Sequence, residues 1–364
     1  MPQATPDIPA CAAHAKPNIY FLKNGKIMTL HTLGSQFQYP SPDMKKIKQN
    51  RDEIHYKIRT LSTVYLPVLG EQLASLLEEL NAIDKQALSS LTLLPSVLPI
   101  GEIQRFHTII ENLKLEPSTP EQQEAIDSFY EEINSSIKTG TSEVLKHSTT
   151  LNNNLTNFKA VTLSDNQYRI KELEDSISNI SPHIAELESD IEKLTTDESE
   201  LNGAIKLIEA TDTFSLIKEL FLTAEKLAGL NLSAPQVELV KTGIAAAGKI
   251  LNLISDRIKY DNLIEARRQI QARLDDRRRN LISIKQDVKL LQDRKSQLVE
   301  FQSVQTPREA YTNEISTLAD AIDKFLEINE HDATDDFSSV VKLFIEQSNI
   351  FIKHLKNLRQ EWKS

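Results

Sequence analysis

The sequence predicts an all-α protein: an elongated multi-helix bundle body with a long antiparallel coiled-coil hairpin that ends in an apolar helical tip. Three observations predict it. Glycine is scarce, aromatic residues make up 6% of the chain, and Leu, Ile, Ala, Glu, Lys and Gln dominate, a composition that favours helix over sheet. Two long stretches carry apolar residues alternately three and four apart, the spacing that keeps one seam facing a partner helix. Those stretches also bear opposite charge. Lys171 to Glu200 holds ten acidic and two basic side chains, and Arg257 to Lys295 holds twelve basic and six acidic, so they pair with each other within the chain.

Residues 1–40, with prolines at 2, 6, 9, 17 and 40, read as a flexible lead-in. Ser41-Pro42 opens the first helix as an N-cap followed by proline. Ile47, Ile54, Ile58, Leu61, Tyr65 and Val68 stripe it, and the pattern resumes with Leu73, Leu76, Leu80 and Ile83, so Pro67 is expected to kink this helix without ending it. A turn follows from Leu94-Pro95 to Gly101, then a short helix to about Leu115. Thr119-Pro120-Glu121-Gln122 is a capping box opening a helix striped by Ile126, Phe129, Ile133, Ile137, Val144, Leu151, Leu155 and Phe158, with Gly140 a weak point.

The outgoing arm runs along Ile170, Leu173, Ile177, Ile180, Ile184, Leu187, Ile191 and Leu194, then Leu201, Ile205 and Ile208. Its register persists across Ser181-Pro182, where a kink is expected. Leu263, Ile270, Leu274, Leu281, Ile284, Val288, Leu291 and Leu298 form the return arm, with Arg267, Arg277 and Lys295 in its gaps. The chain is expected to fold back near Gly229-Leu230-Asn231. Thr306-Pro307-Arg308-Glu309 reads as a second capping box, before a face of Tyr311, Ile315, Leu318, Ile322 and Phe325. A last helix, capped by Asp335-Asp336, carries Phe337, Val341, Phe344, Ser348, Phe351, Leu355, Leu358 and Trp362. No strand-like alternation competes.

The expected domains are therefore a lead-in (1–40), a bundle body (41–162 and 304–364), coiled-coil arms (163–203 and 255–303) and an amphipathic tip (204–254).

The net charge of −10 argues against nucleic acid as a partner, because phosphate contacts need positive surface. The single cysteine, Cys11, excludes an intrachain disulfide and a cysteine-based zinc site. No Sec-type signal peptide and no long uncharged apolar run is visible, so the chain is expected to be made as a soluble protein. No nucleotide-binding loop, nucleophile elbow or metalloprotease motif occurs, and neither a catalytic residue nor a cofactor is expected. Glu330-His331-Asp332 with Asp335 and Asp336 reads either as metal ligands or as a polar turn capping the final helix, and the turn is the simpler account. His107, His147, His183 and His354 are scattered singly and read as surface or boundary residues.

The tip is the exception to this polar surface. It holds Phe214, Leu216, Ile217, Leu220, Phe221, Leu222, Leu227, Leu230, Leu232, Val237, Leu239, Val240, Ile244, Ile250 and Leu251, with Leu253 and Ile254 beyond. Its charges (among them Lys206, Asp212, Lys218, Glu225, Glu238, Lys241 and Lys249) sum to zero. Each would cost roughly 2.5–3.5 kcal/mol near a bilayer centre, so a lone helix pair does not span. A ring of them can, with apolar faces toward lipid and charged faces toward water. Gly243 and Ala247 give the small-xxx-small spacing that permits close helix contact.

This order of parts resembles the α-helical pore-forming toxins related to cytolysin A, and within them the B component of the two-component xenorhabdolysin family. The resemblance covers most of the chain and rests on the heptad-paired hairpin from about 163 to 300 and the tip around Phe214–Ile254. It implies a secreted bacterial cytotoxin subunit, first a soluble monomer, that joins an A component in a hetero-oligomeric, membrane-spanning ring. The fifteen tip residues from Phe214 to Leu251 named above would then contact target-cell membrane lipid. The alternative is a non-enzymatic coiled-coil scaffold whose tip is a docking knob for another protein.

Overall fold

A computed structural model describes residues 20–23, 26–29, 37–115, 119–330 and 336–363. Cys11 and the group Glu330-His331-Asp332 with Asp335 lie wholly or partly outside them. Two short strands, β1 (Tyr20–Lys23) and β2 (Lys26–Thr29), pair antiparallel. The sequence carries Asn24-Gly25 between them, the dipeptide that suits a two-residue hairpin. All other regular structure among the described residues is helical.

Packing divides the chain into two compact units. One comprises the described part of Met1–Ile47 with Ile83–Leu155 and Asn313–Ser364, and the other comprises Lys48–Ala82 and Thr156–Thr312.

Helix α1 (Met44–Thr60) ends before α2 (Pro67–Val97) begins. The expected kinked helix is thus two helices. Pro67 occupies the first turn of α2, where its missing N–H costs nothing and its fixed φ suits helix entry. Pro95 sits within the last turn of α2, so the expected turn from Leu94 shortens to the two residues before α3 (Ile100–Leu113). Helix α4 (Pro120–Ala160) opens as the capping box predicts: Thr119 N–H donates to Gln122 Oε1 at 2.9 Å, and Gln122 N–H donates to Thr119 Oγ1 at 3.3 Å. It runs through Gly140, where an added Cβ would lie 3.2 Å from Pro99 Cδ. Close approach explains that glycine better than weakness does.

In the first unit, apolar faces of α2, α3, α4, α10 (Gln305–Ile328) and α11 (Phe337–Lys363) bury Leu91, Ile103, Ile133, Val144, Ile322, Phe344 and Phe351. Phe325 and Phe351 stack at 4.5 Å. Asp336 caps α11 by accepting from Ser339 N–H at 2.9 Å. His147 is no free surface residue: its Nδ1 lies 3.2 Å from Ser90 Oγ and 3.3 Å from Gln86 Nε2, and burial pulls its pKa down. Beside it, Asp323 accepts from Ser148 and, at 3.1 Å, from Asn152.

In the second unit, Arg308 is buried and satisfies the carbonyls at the end of α4. Its guanidinium donates to Phe158 O at 2.6 Å, Lys159 O at 3.1 Å and Val161 O at 2.7 Å, a cation on the helix C-terminus. Thr306-Pro307 opens nothing, because α10 has already started at Gln305.

The two arms are α5 (Gln167–Glu209) and α9 (Tyr260–Gln302). Each is 43 residues, about 65 Å at 1.5 Å per residue. Pro182 is accommodated inside α5. The arms pair antiparallel: Gln271 reaches Glu198 at 2.9 Å, Lys285 reaches Glu188 at 2.7 Å, and Lys295 reaches Glu174 at 2.8 Å. The first is a hydrogen bond and the other two are ion pairs, and these solvent-facing pairs set partner and direction more than stability, at about 0–1 kcal/mol each. The buried seam of Ile170, Leu173, Leu187, Leu201, Ile270, Leu274 and Leu298 supplies the rest.

Candidate functional site

The apolar segment between the arms is not a simple two-helix tip. After α5 come two short helices, α6 (Phe214–Ile217) and α7 (Ala224–Ala228), and the chain reverses at Asn231, whose φ is +52°. It then forms α8 (Ala234–Leu251), which packs back along α5 and also touches α9. A second reversal at Asn252, with φ +56°, sends it through a 3-10 turn (Ser255–Arg257) into α9. Asparagine tolerates this left-handed backbone because its short polar side chain bonds locally. The expected fold-back near Gly229-Leu230-Asn231 is therefore the first of two reversals. Ser233 N–H donates to Gln236 Oε1 at 2.9 Å, and Pro235 lies in the first turn of α8, so Ser233, Pro235 and Gln236 together are the signal that starts this helix.

Small residues bring α8 close to α5. A Cβ at Gly243 would run into Ala204 Cβ and stand 3.1 Å from Glu200 O. One at Gly203 would meet Leu239 at 3.0 Å. This is the contact that the Gly243/Ala247 spacing permits. The core beneath combines Leu201, Ile205 and Ile208 of α5, Val240, Ile244 and Ile250 of α8, and Leu263 and Ile270 of α9. Lys249 pairs with Asp197 at 3.2 Å, and Tyr260 donates to Glu209 at 2.6 Å where the arms meet the knob. Burial first, and then this Glu209 bond, push the Tyr260 phenol up to about 12. Phe214 meets its ring edge-on at 5.0 Å.

The tip residues singled out from the sequence fall into three groups. Ile217, Leu222, Leu227, Leu230, Val240, Ile244 and Ile250 are buried in the knob core. Phe214, Leu232, Val237, Leu239 and Leu251 are half-buried. Leu216, Leu220 and Phe221 are exposed, at 72%, 40% and 48%. A short bridge joins Phe221 to Lys259, whose ammonium lies 5.3 Å from the Phe221 ring centre. Leu222 N–H donates to Ile258 O at 2.8 Å. Tyr260, Ile258 and Ala266 complete this core from the α9 side, outside the 204–254 window. Their signal was the apolar start of the return arm.

Among the described residues no helix is long and apolar enough to cross a membrane, and no cluster of acidic, histidine or cysteine side chains is arranged to hold a metal ion. The arrangement stores apolar surface behind helices that are held by small-residue contact and a few polar links.

No protein-family model matches the sequence, and no curated protein does. Solved structures do match. PaxB from Photorhabdus luminescens superposes with a TM-score of 0.78 at 19% identity, covering 90% of this chain and 99% of PaxB. This chain has the PaxB fold. XaxB from Xenorhabdus nematophila gives 0.72 at 16% identity, over 89% of this chain and 99% of XaxB. A chain of the XaxAB pore complex gives 0.64 at 17% identity, over 88% of this chain and 97% of that chain. At these identities the likeness is one of fold, and the PaxB-like fold is the one that the sequence resemblance names.

Proposed function

We propose that this chain is the B-type subunit of a binary α-helical pore-forming cytotoxin. It joins an A component in a hetero-oligomeric ring that perforates target-cell membranes, and the 204–254 segment is its membrane-contacting head. The 163–203 and 255–303 segments act as the neck, and 41–162 with 304–364 as the tail. The observation that carries this reading is the knob at the end of the arms, on a fold shared with a chain of a pore complex. Its apolar residues are mostly covered, yet Leu216, Leu220 and Phe221 already face solvent. Contact with lipid and partner then frees the covered residues. In the bilayer each buried Leu or Phe contributes about 1.5–3 kcal/mol, repeated in every subunit of a ring.

Dye release from liposomes tests it, with this chain alone and with the product of the neighbouring reading frame. Release that needs both chains supports the binary pore. Release by this chain alone keeps the pore and removes the A component. No release over varied lipids and erythrocytes leaves the docking scaffold.

A further inference from the structure

Ahead of α1, within the first unit, Tyr39 of the segment 37–43 packs on one stripe of α11. Tyr39 is buried there. Its hydroxyl donates to Gln347 Oε1 at 3.0 Å, and its ring packs on Phe351 at 5.2 Å and His354 at 5.9 Å. Positions 347, 351 and 354 follow i, i+4, i+7 spacing, so one residue of the strap touches three successive turns of one helix face. The strap's other end is pinned separately, by Asp43 N–H donating to Glu314 Oε2 at 2.8 Å.

The polar chemistry under the strap is incomplete. The Pro40 carbonyl acts on the His354 imidazole and favours its charged form, but Nε2 of that ring is buried with no partner among the described residues. Gln347, whose Oε1 accepts from Tyr39, also has its Nε2 buried without a partner among the described residues. Each such atom carries a desolvation penalty in the docked state that is relieved on release, so the strap is held mainly by Tyr39 and by a neutral His354.

We propose that residues 37–43 are an acid-released strap, with His354 as the group whose protonation frees them. A neutral ring can leave a lone pair on Nε2, which needs no acceptor. Protonation places a second N–H on that buried nitrogen, where no described residue accepts it, and buries a positive charge whose desolvation cost the Tyr39 ring 5.9 Å away offsets only in part. Of the charges around the ring, Glu361 acts on it and favours the charged form, while Lys353 and Lys356 on the same helix are exposed. Tyr39 is the strap's titratable group at this contact, and burial raises its pKa, so it stays neutral. Burial outweighs the Pro40 carbonyl and Glu361, both of which favour the charged form, and holds His354 below the ordinary histidine range. In the released strap the ring regains its ordinary value of about 6.5. Docking is therefore full above that value and is lost as pH falls through the lower docked-state value. The inference does not depend on the pore reading.

Hydrogen exchange of residues 37–43 in the full chain, from about pH 7.5 to about pH 5 and corrected for intrinsic rates, is the test. Protection of the strap is expected to fall by about tenfold for each unit by which the docked histidine lies below its ordinary value, while the α4 core stays protected. His354→Gln, neutral throughout, is expected to abolish the pH dependence. His354→Phe serves if the glutamine variant loses helicity. Tyr39→Ala is expected to expose the strap at every pH. A wild-type strap with pH-independent protection, or one whose pH profile survives both His354 substitutions, overturns the proposal.

Discussion

Substituting Gly243 by alanine tests the packing of the knob, because two effects of opposite sign compete. In an open helix interior the change stabilises by about 0.8–1.0 kcal/mol, through helix propensity alone. At Gly243 the new methyl meets Ala204 Cβ, Glu200 O and Leu201 Cα, the last two at 3.1 and 3.4 Å. Two of these are backbone and cannot rotate away, so α8 must shift, at an overpacking cost of about 1–3 kcal/mol. Because the methyl meets three neighbours at once, the cost falls at about 2–3 kcal/mol, and the net expectation is destabilisation of the α8 contact by about 1–2 kcal/mol. A chain of two units does not unfold in one step, so the readout is hydrogen exchange of α8 amides, expected to quicken by about 5–30-fold. Gly101→Ala is the control. Among the described residues nothing beyond its own stretch of chain lies within 4 Å of a Cβ added there, and the same substitution in α3 is expected to be neutral or to stabilise by a few tenths of a kcal/mol. If Gly243→Ala slows exchange in α8, or leaves it unchanged, the close approach of α8 to α5 is wrong and with it the account of how the knob is closed.

Four further outcomes follow from named contacts. Phe221→Glu should leave the monomer folded, since the ring is about half exposed, but should abolish dye release. It replaces a gain of about 1.5–3 kcal/mol in lipid with a comparable cost per subunit, and full retained activity counts against the head assignment. Arg308→Lys should cost about 2–4 kcal/mol by urea unfolding of the second unit, because one ammonium cannot serve three carbonyls with the guanidinium's geometry; a change under about 0.5 kcal/mol refutes that role. Alkaline titration followed by tyrosinate absorbance should show Tyr260 ionising near pH 12. Its raised value makes its contribution complete below about pH 10 and lost as pH rises through 12, and Tyr260→Phe should remove that step. Lys285→Ala should shift stability by less than about 1 kcal/mol, because the Glu188 pair is solvent-exposed.

The paired arms were legible because their signal is redundant. Ile and Leu at alternating three- and four-residue steps and opposite net charge both point to α5 against α9, and either alone would have placed them together. Breaks and reversals were less legible. Pro67 sits in a stripe that continues on both sides, so periodicity argued for one helix while proline chemistry argued for a start, and proline chemistry prevailed. The second reversal within the knob was illegible for a related reason. The apolar period of α8 is the same whether it extends an arm or folds back along one, and nothing in a period gives direction. What turns α8 back is Asn231 and Asn252 in left-handed backbone, without the glycines that usually advertise it. The strap on α11 left no pattern at all, since one tyrosine touching residues 308 positions away has no local signature.

The charges of α8 decide how its apolar face can be used. Glu238, Lys241 and Lys249 are all exposed, and their i, i+3, i+11 spacing places them on one side of the helix at 3.6 residues per turn. Val240, Ile244, Ala247 and Ile250 occupy the other side and are buried. With 18 residues, α8 is about 27 Å long, close to the roughly 30 Å of a bilayer's hydrocarbon core. As a lone span it would carry three charges, at roughly 2.5–3.5 kcal/mol each, which cancels the gain from its few large apolar side chains. In the proposed ring the charged side turns to the water-filled lumen and that cost falls away, while the apolar side exchanges the knob core for lipid or a neighbour. A helix of this length, with its charges on one face, is therefore poorly suited to crossing a membrane alone and well suited to crossing it in company.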